Sequence, residues 1–257
     1  MTKGTGRKYL KRPDVFLERL RGLYAWVEHN LLKVVFGSVI VFIGVAIFIS
    51  ITAYQGHKEN KALTAYYLAQ KAFDQKRTEL ETKTSKENKK DKKEEVSLEK
   101  GLEKEIFELK ALTQKFSGSK ASLLSYLKLG EFYTEQSQYE AAIPFYQKAY
   151  DLKPDRFYTL LSIYNLGYLH EKKGDCPKAM EWFQKMTDMK KQRVLLWTVG
   201  YRPNGFWLSN AYFGMARCHA VLNQKDLAKD TYLRVSDEFP NTQYADQAQG
   251  YAELLNE

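Results

Sequence analysis

Twenty-one consecutive residues, Val34 to Tyr54, carry no charge. As a helix rising 1.5 Å per residue, such a run covers about 30 Å, the thickness of a bilayer hydrocarbon core. A cleaved leader would have a shorter apolar region of about 7–15 residues ending in a small-residue cleavage pattern. Here the run ends Ile51-Thr52-Ala53-Tyr54-Gln55-Gly56, without that pattern. The expectation is a retained single-pass transmembrane helix over 34–56, with a short tail on one side and about 200 residues on the other.

The flanks set the expected orientation. Residues 1–33 hold eight Lys/Arg (Lys3, Arg7, Lys8, Lys11, Arg12, Arg19, Arg21, Lys33) against three acids (Asp14, Glu18, Glu28). Short basic flanks stay in the cytoplasm, so the long C-terminal part is expected to be translocated. Beyond the tail, 32 basic and 28 acidic residues leave a balance of only +4 of the total +9. More than half of the positive charge is therefore a topology signal and calls for no nucleic-acid partner. Within the tail, Pro13-Asp14 predicts a helix start. Val15, Phe16, Leu20, Leu23, Tyr24, Val27 and Leu31 then recur at helical spacing. This fits either an amphipathic helix in the headgroup layer, anchored by Tyr24 and Trp26, or a solvated stop-transfer flank.

The larger part is repetitive. From Leu123 the sequence reads LLSYLKLGEFYTEQSQYEAAIPFYQKAYDLKP. Counted from Leu123, Tyr126, Leu129, Gly130, Tyr133, Ala142, Tyr146, Ala149 and Pro154 occupy positions 4, 7, 8, 11, 20, 24, 27 and 32. The small residues let two helices approach, the large ones fill the space between them, and Pro154 ends the second helix. At all eight positions the segment resembles the tetratricopeptide repeat, a 34-residue helix–turn–helix unit. A second copy from Leu160 matches with Leu166, Gly167, Gly174, Ala179 and Phe183, whereas Ile163, His170, Met186 and Lys191 depart from the pattern. A third, from near Ser209, matches with Tyr212, Ala216, Ala228, Tyr232 and Pro240. Asn241-Thr242 then predicts the cap of a terminal helix carrying Tyr244, Ala245, Ala248, Tyr251, Ala252 and Leu255 on one face, as a stacked array needs at its end.

Upstream, Ala62, Tyr66, Ala69 and Phe73 form one helical stripe, and Ile106, Leu109 and Leu112 a second. The latter ends in Phe116-Ser117-Gly118-Ser119, which echoes Phe239-Pro240-Asn241-Thr242. Residues 57–122 therefore read as a degenerate first repeat split by a charged insertion, 78–101, with seven Lys and seven acids. That insertion is either disordered or extends the helices as solvated turns. Residues 123–257 read as the repeat array and its cap. The expected fold class is all-α: one N-terminal transmembrane helix followed by a tetratricopeptide-repeat solenoid.

The sequence offers little reactive chemistry. It has no Gly-rich phosphate loop, no Gly-x-Ser-x-Gly elbow and no His-Glu-x-x-His pair, so no enzyme and no cofactor are expected. Cys176 and Cys218 are either a disulfide or two buried thiols, since register alone does not fix their separation. With His170 and His219 they could be drawn as a zinc set, but Cys-x-x-Cys spacing is absent and both histidines fall at core position 11, so no metal is expected.

What the resemblance does imply is a partner-binding groove, because in tetratricopeptide repeats the first helix of each pair lines the inner face. The matching positions are Leu124, Leu127, Glu131, Leu161, Tyr164, Tyr168, Phe213 and Arg217. The groove receives either an extended or helical peptide or one of the chain's own helices. The insertion Val194–Leu208, with Trp197, Tyr201, Arg202, Pro203, Asn204, Gly205, Phe206 and Trp207, either packs over a repeat junction or presents a contact loop. In layout, the basic tail with Arg12-Pro13-Asp14-Val15-Phe16-Leu17, the single anchor and the short array resemble the YfgM-like ancillary subunits of the bacterial SecYEG translocon. That resemblance implies a bacterial inner-membrane protein with residues 57–257 in the periplasm, holding chaperones or exported chains near the translocon. The rival expectation is a structural adaptor of another envelope machine, serving cell-wall synthesis, secretion or motility.

Overall fold

In a computed structural model the chain is described over residues 15–87, 98–152, 155–189, 191–194, 197–200 and 202–255. The expected helix start at Pro13-Asp14, residues 88–97 of the charged insertion, Pro154 and Tyr201 lie outside the described residues. The chain divides into two compact units, Met1–Lys58 and Glu59–Glu257.

The first unit contains α1 (Val15–His29) and the first part of α2 (Leu31–Glu87). At the junction the Asn30 side-chain amide donates to the Trp26 carbonyl at 2.9 Å. Helix α2 is long and apolar enough to cross a membrane, and its apolar window is wholly exposed. Three hydroxyls of the uncharged run are satisfied within the helix: the Ser38 and Ser50 hydroxyls donate to Val35 and Ala46 carbonyls at 2.8 Å, and Thr52 donates to Phe48 at 3.0 Å. Such back-bonding satisfies these hydroxyls without water, as a helix in hydrocarbon requires.

The second unit is a row of antiparallel helix pairs. From Glu59, α2 carries the buried stripe Ala62, Tyr66, Ala69 and Phe73. A single turn α3 (Leu98–Gly101) and α4 (Glu103–Lys115) follow, with Ile106, Leu109 and Leu112 buried. Then come α5 (Lys120–Glu135) with α6 (Tyr139–Asp151), α7 (Arg156–Lys172) with α8 (Cys176–Thr187), and α9 (Gly205–Val221) with α10 (Lys225–Glu238); α11 (Gln243–Leu254) packs on α10. The described residues are thus helical except for loops and one antiparallel hairpin, β1 (Lys191–Val194) with β2 (Trp197–Gly200), in the aromatic insertion. The sequence did not predict that hairpin.

Local chemistry explains where the helices begin. Ser119, Asp155, Asn204 and Thr242 precede α5, α7, α9 and α11, and each side chain accepts a backbone N–H of the first turn at 3.1–3.3 Å. Such caps satisfy donors that have no partner inside the helix. The three turns inside the pairs are built alike. The N–H of Gln138, Asp175 and Gln224 donates to the carbonyl five residues back, on Tyr133, His170 and His219, each at 2.9 Å. One residue per turn is left-handed: Ser137, Gly174 or Asn223. Only Gly174 takes that conformation without steric cost.

Packing between helices rests on small residues facing rings. A Cβ added to Gly130 would lie 2.8 Å from the Tyr146 ring, and one on Gly167 would lie 2.5 Å from the Phe183 ring. Gly214 on α9 faces the other edge of Phe183 and leaves no room for a Cβ. Phe183 is fully buried, so one ring fixes three helices, α7, α8 and α9. The positions that depart from the repeat pattern keep its burial: Ile163 and Met186 are fully buried and His170 is buried.

The glycines predict opposite effects from one substitution. Gly214→Ala forces Phe183 off its site and is expected to cost about 1–3 kcal/mol. Gly250→Ala, in α11 with open space around it, is expected to stabilise by about 0.4–1 kcal/mol. Urea unfolding of the two variants of the full chain, followed by circular dichroism, checks the sign of each change.

Candidate partner-binding face

Four of the eight expected groove residues come together. Leu124, Leu127 and Glu131 on α5 and Leu161 on α7 line a cleft of about 350 Å³. Its other walls include Tyr66 and Gln70 of α2, Lys128, Thr134 and Glu135 of α5, Tyr146 of α6 and Asn165 of α7. The floor is apolar: Leu127 and Tyr66 are buried, and Leu124 and Leu161 are half-buried. The rim is polar. Thr134 donates to the Gly130 carbonyl at 2.7 Å, and the Asn165 amide nitrogen donates to the Leu161 carbonyl at 2.8 Å.

The charges around the cleft are engaged with one another. Lys128 Nζ lies 3.0 Å from Asp74 and 3.4 Å from Glu131. Burial alone would lower its pKa, but the two carboxylates outweigh that and hold it above the usual lysine range. Arg77 bridges Glu81 and Glu135 at 2.7 and 2.6 Å. Burial, followed by the charge of Asp74, pushes the Tyr66 phenol well above its ordinary range. It stays protonated and able to donate at any physiological pH.

The remaining expected residues are placed differently. Tyr164 and Tyr168 stack with centroids 6.4 Å apart on α7, and the Lys172 ammonium lies 5.4 Å from the Tyr168 centroid. Arg217 makes a two-pronged pair with Glu171, at 2.6 and 2.9 Å, tying α9 to α7. That pair, only partly offset by burial, raises the arginine further. Phe213 is only 7 % exposed. Its ring meets Tyr232 and Tyr251, each at 5.9 Å, so α11 covers it. It belongs to a separate C-terminal core cluster with Leu208, Tyr212 and Ala248.

Sequence reasoning missed Tyr66, Gln70, Lys128 and Asn165 as cleft walls. A signal for two of them existed, since Lys128 and Asn165 both fall at position 6 of their repeats. In the aromatic insertion, Trp207 is buried against Phe157, Tyr164 and Phe206 at 5.1–6.2 Å, and Arg202 pairs with Glu238 at 2.6 Å. A second hollow of about 560 Å³, lined by Glu99, Glu103, Phe107, Lys110 and Tyr133, lies among α3, α4 and α5.

Among the described residues, no group of three or more metal-ligating side chains is found. Cys176 and Cys218 are buried free thiols. Burial and the hydrogen bond from one to the other push the Cys218 thiol far above its ordinary range, so it is a poor nucleophile and a poor ligand. His170 is buried, with Nδ1 3.5 Å from Asp175 Oδ2 and no hydrogen-bond partner.

Two family models, each described as a tetratricopeptide repeat, match the chain, one over residues 121–192 and one over 210–242. The first covers α5 to β1 and the second α9 to α10. No curated protein matches the chain. Both matched stretches are tetratricopeptide repeats, and repeats of this kind serve as protein–protein interaction scaffolds.

Burial, acting against the charge of Asp175, lowers the His170 pKa below its ordinary 6.5. The unfolded chain therefore binds this proton first, and stability present above about pH 6.5 is lost as pH falls. His170→Tyr, which restores the residue type found at Tyr133, is expected to flatten the slope of unfolding free energy between pH 7 and about 5. Denaturant titrations across that range check it, and an unchanged slope would place the titration elsewhere.

Proposed function

We propose that the chain is a membrane-anchored protein-interaction scaffold without catalytic activity, with residues 1–33 in the cytoplasm and residues 57–257 in the periplasm of a bacterium. In this reading it is ancillary to the Sec translocon and holds periplasmic chaperones or exported chains beside it. The orientation is supported by the eight-to-three charge bias of the tail. The scaffold role is supported by the repeats, and the translocon by the resemblance in layout. The observation that carries the reading is the α2–α5–α7 cleft, with an apolar floor, neutral hydrogen-bonding groups at its rim and charges already paired. Such a surface suits a peptide that buries one or two apolar side chains and pairs its amides with the rim. Phe213 has no part in it.

A photo-crosslinking side chain at Asn165, with Lys148 on α6 as the control, tests the partner in living cells. Translocon subunits or export chaperones captured from Asn165 and not from Lys148 are the expected result. Capture of cell-wall, secretion or motility components would instead establish the adaptor reading. Thiol labelling of single cysteines at Thr5 and Lys71 tests the orientation. With the outer membrane permeabilised, Lys71→Cys is expected to react and Thr5→Cys to stay protected, and the reverse pattern would invert the topology.

A further inference from the structure

We infer that one edge of the repeat unit, formed by the first turns of α5, α7 and α9, docks on a lipid surface. The edge can be traced contact by contact. Glu59 Oε1 accepts from the Lys120 N–H at 2.8 Å, and Lys120 Nζ lies 5.7 Å from the Tyr158 ring centroid. Tyr158 meets Phe157 at 5.2 Å, Phe157 meets Trp207 at 6.2 Å, and Trp207 meets Phe206 at 5.1 Å. Trp207 is buried behind this line, but Phe157 is 57 % and Phe206 51 % exposed.

Each of these two rings meets Trp207 yet leaves about half of its own surface exposed. Each is the second residue of its helix, after a polar cap on Asp155 or Asn204 that already satisfies the helix end. A first turn ordinarily presents polar side chains there. Lys120, exposed on the same edge, adds a cation to this line of rings. Exposed aromatic rings in line with a cation are the composition of a surface that sits at the headgroup level. The rings enter the acyl boundary and the ammonium meets anionic lipid phosphates.

The covalent chain identifies lipid as the occupant. The unit begins at Glu59 on this edge, and only Gln55 to Lys58 separate Glu59 from the end of the uncharged run at Tyr54. A surface tethered by so short a segment meets the bilayer at high effective concentration. Weak individual contacts through Phe157 and Phe206 then suffice. This inference rests on the membrane-anchor reading above.

Nitroxide labels on the full chain in phosphatidylcholine–phosphatidylglycerol vesicles test it. Labels are placed through Phe157→Cys, Phe206→Cys, Val221→Cys and Phe42→Cys, with the unsubstituted chain as the blank for buried Cys176 and Cys218. Val221 is an exposed apolar residue at the other end of α9. The label at Phe42 reports the anchor itself. Collision with apolar oxygen is expected to exceed collision with a water-soluble nickel chelate at 42, 157 and 206, and the order is expected to reverse at 221. If 157 and 206 behave like 221 while 42 reports lipid, the edge faces water and the inference is overturned alone. If 157 and 206 are shielded from both reagents, a protein covers them, which also overturns it. A water signal at 42 would overturn the anchor reading and this inference with it.

Discussion

The repeat unit depends on how closely two glycines let α7 and α9 approach a single ring. Phe183 fills the space between Gly167 and Gly214, and neither position has room for a Cβ. Dispersion falls steeply with separation, so a gap of even a methyl group would forfeit much of the contact across three helices. The first clear repeat follows the same logic with Gly130 against Tyr146, and in the third Ala216 and Ala228 are fully buried. In such arrays each unit is stabilised by its neighbours, and Phe183 contributes both within its own repeat, at Gly167, and to the next, at Gly214.

This division explains what could be read in advance. Gly130 and Gly167 were legible because they meet Tyr146 and Phe183 inside their own repeats, at fixed positions. Gly214 was not, because its partner comes from the preceding repeat and the spacing between repeats varies. Phe213 shows the same limit. Its position predicts an inward-facing groove ring, but the C-terminal helix brings Tyr251 against it, and no periodicity states where a terminal helix will lie. The hairpin at 191–200 was hidden for another reason. Between its strands stand Leu195 and Leu196, not the glycine or asparagine that signals a tight turn. The cleft itself was half legible. Leu124, Leu127, Glu131 and Leu161 follow from repeat positions, whereas Tyr66 and Gln70 come from α2, which carries no recognisable repeat sequence.

Function follows from the same physics. A stacked array that closes its core with small residues and rings leaves the inner helix faces free for specific chemistry. Here those faces divide into regions. Near α2, α5 and α7 the surface is a cleft with paired charges; near α7 and α9 it is a tyrosine stack beside the Arg217–Glu171 pair; beyond that, α11 seals it. The same chain carries a helix long and apolar enough to cross a membrane.

The central claim is that the Phe183 contact between repeats organises residues 59–255, and native-state hydrogen exchange on the full chain tests it most directly. Amides of α7, α8 and α9 should be the last of that region to exchange, and Gly214→Ala should speed all three together while sparing α5 and α6. Slowest exchange in α5 and α6, or an effect of Gly214→Ala confined to α9, would contradict it.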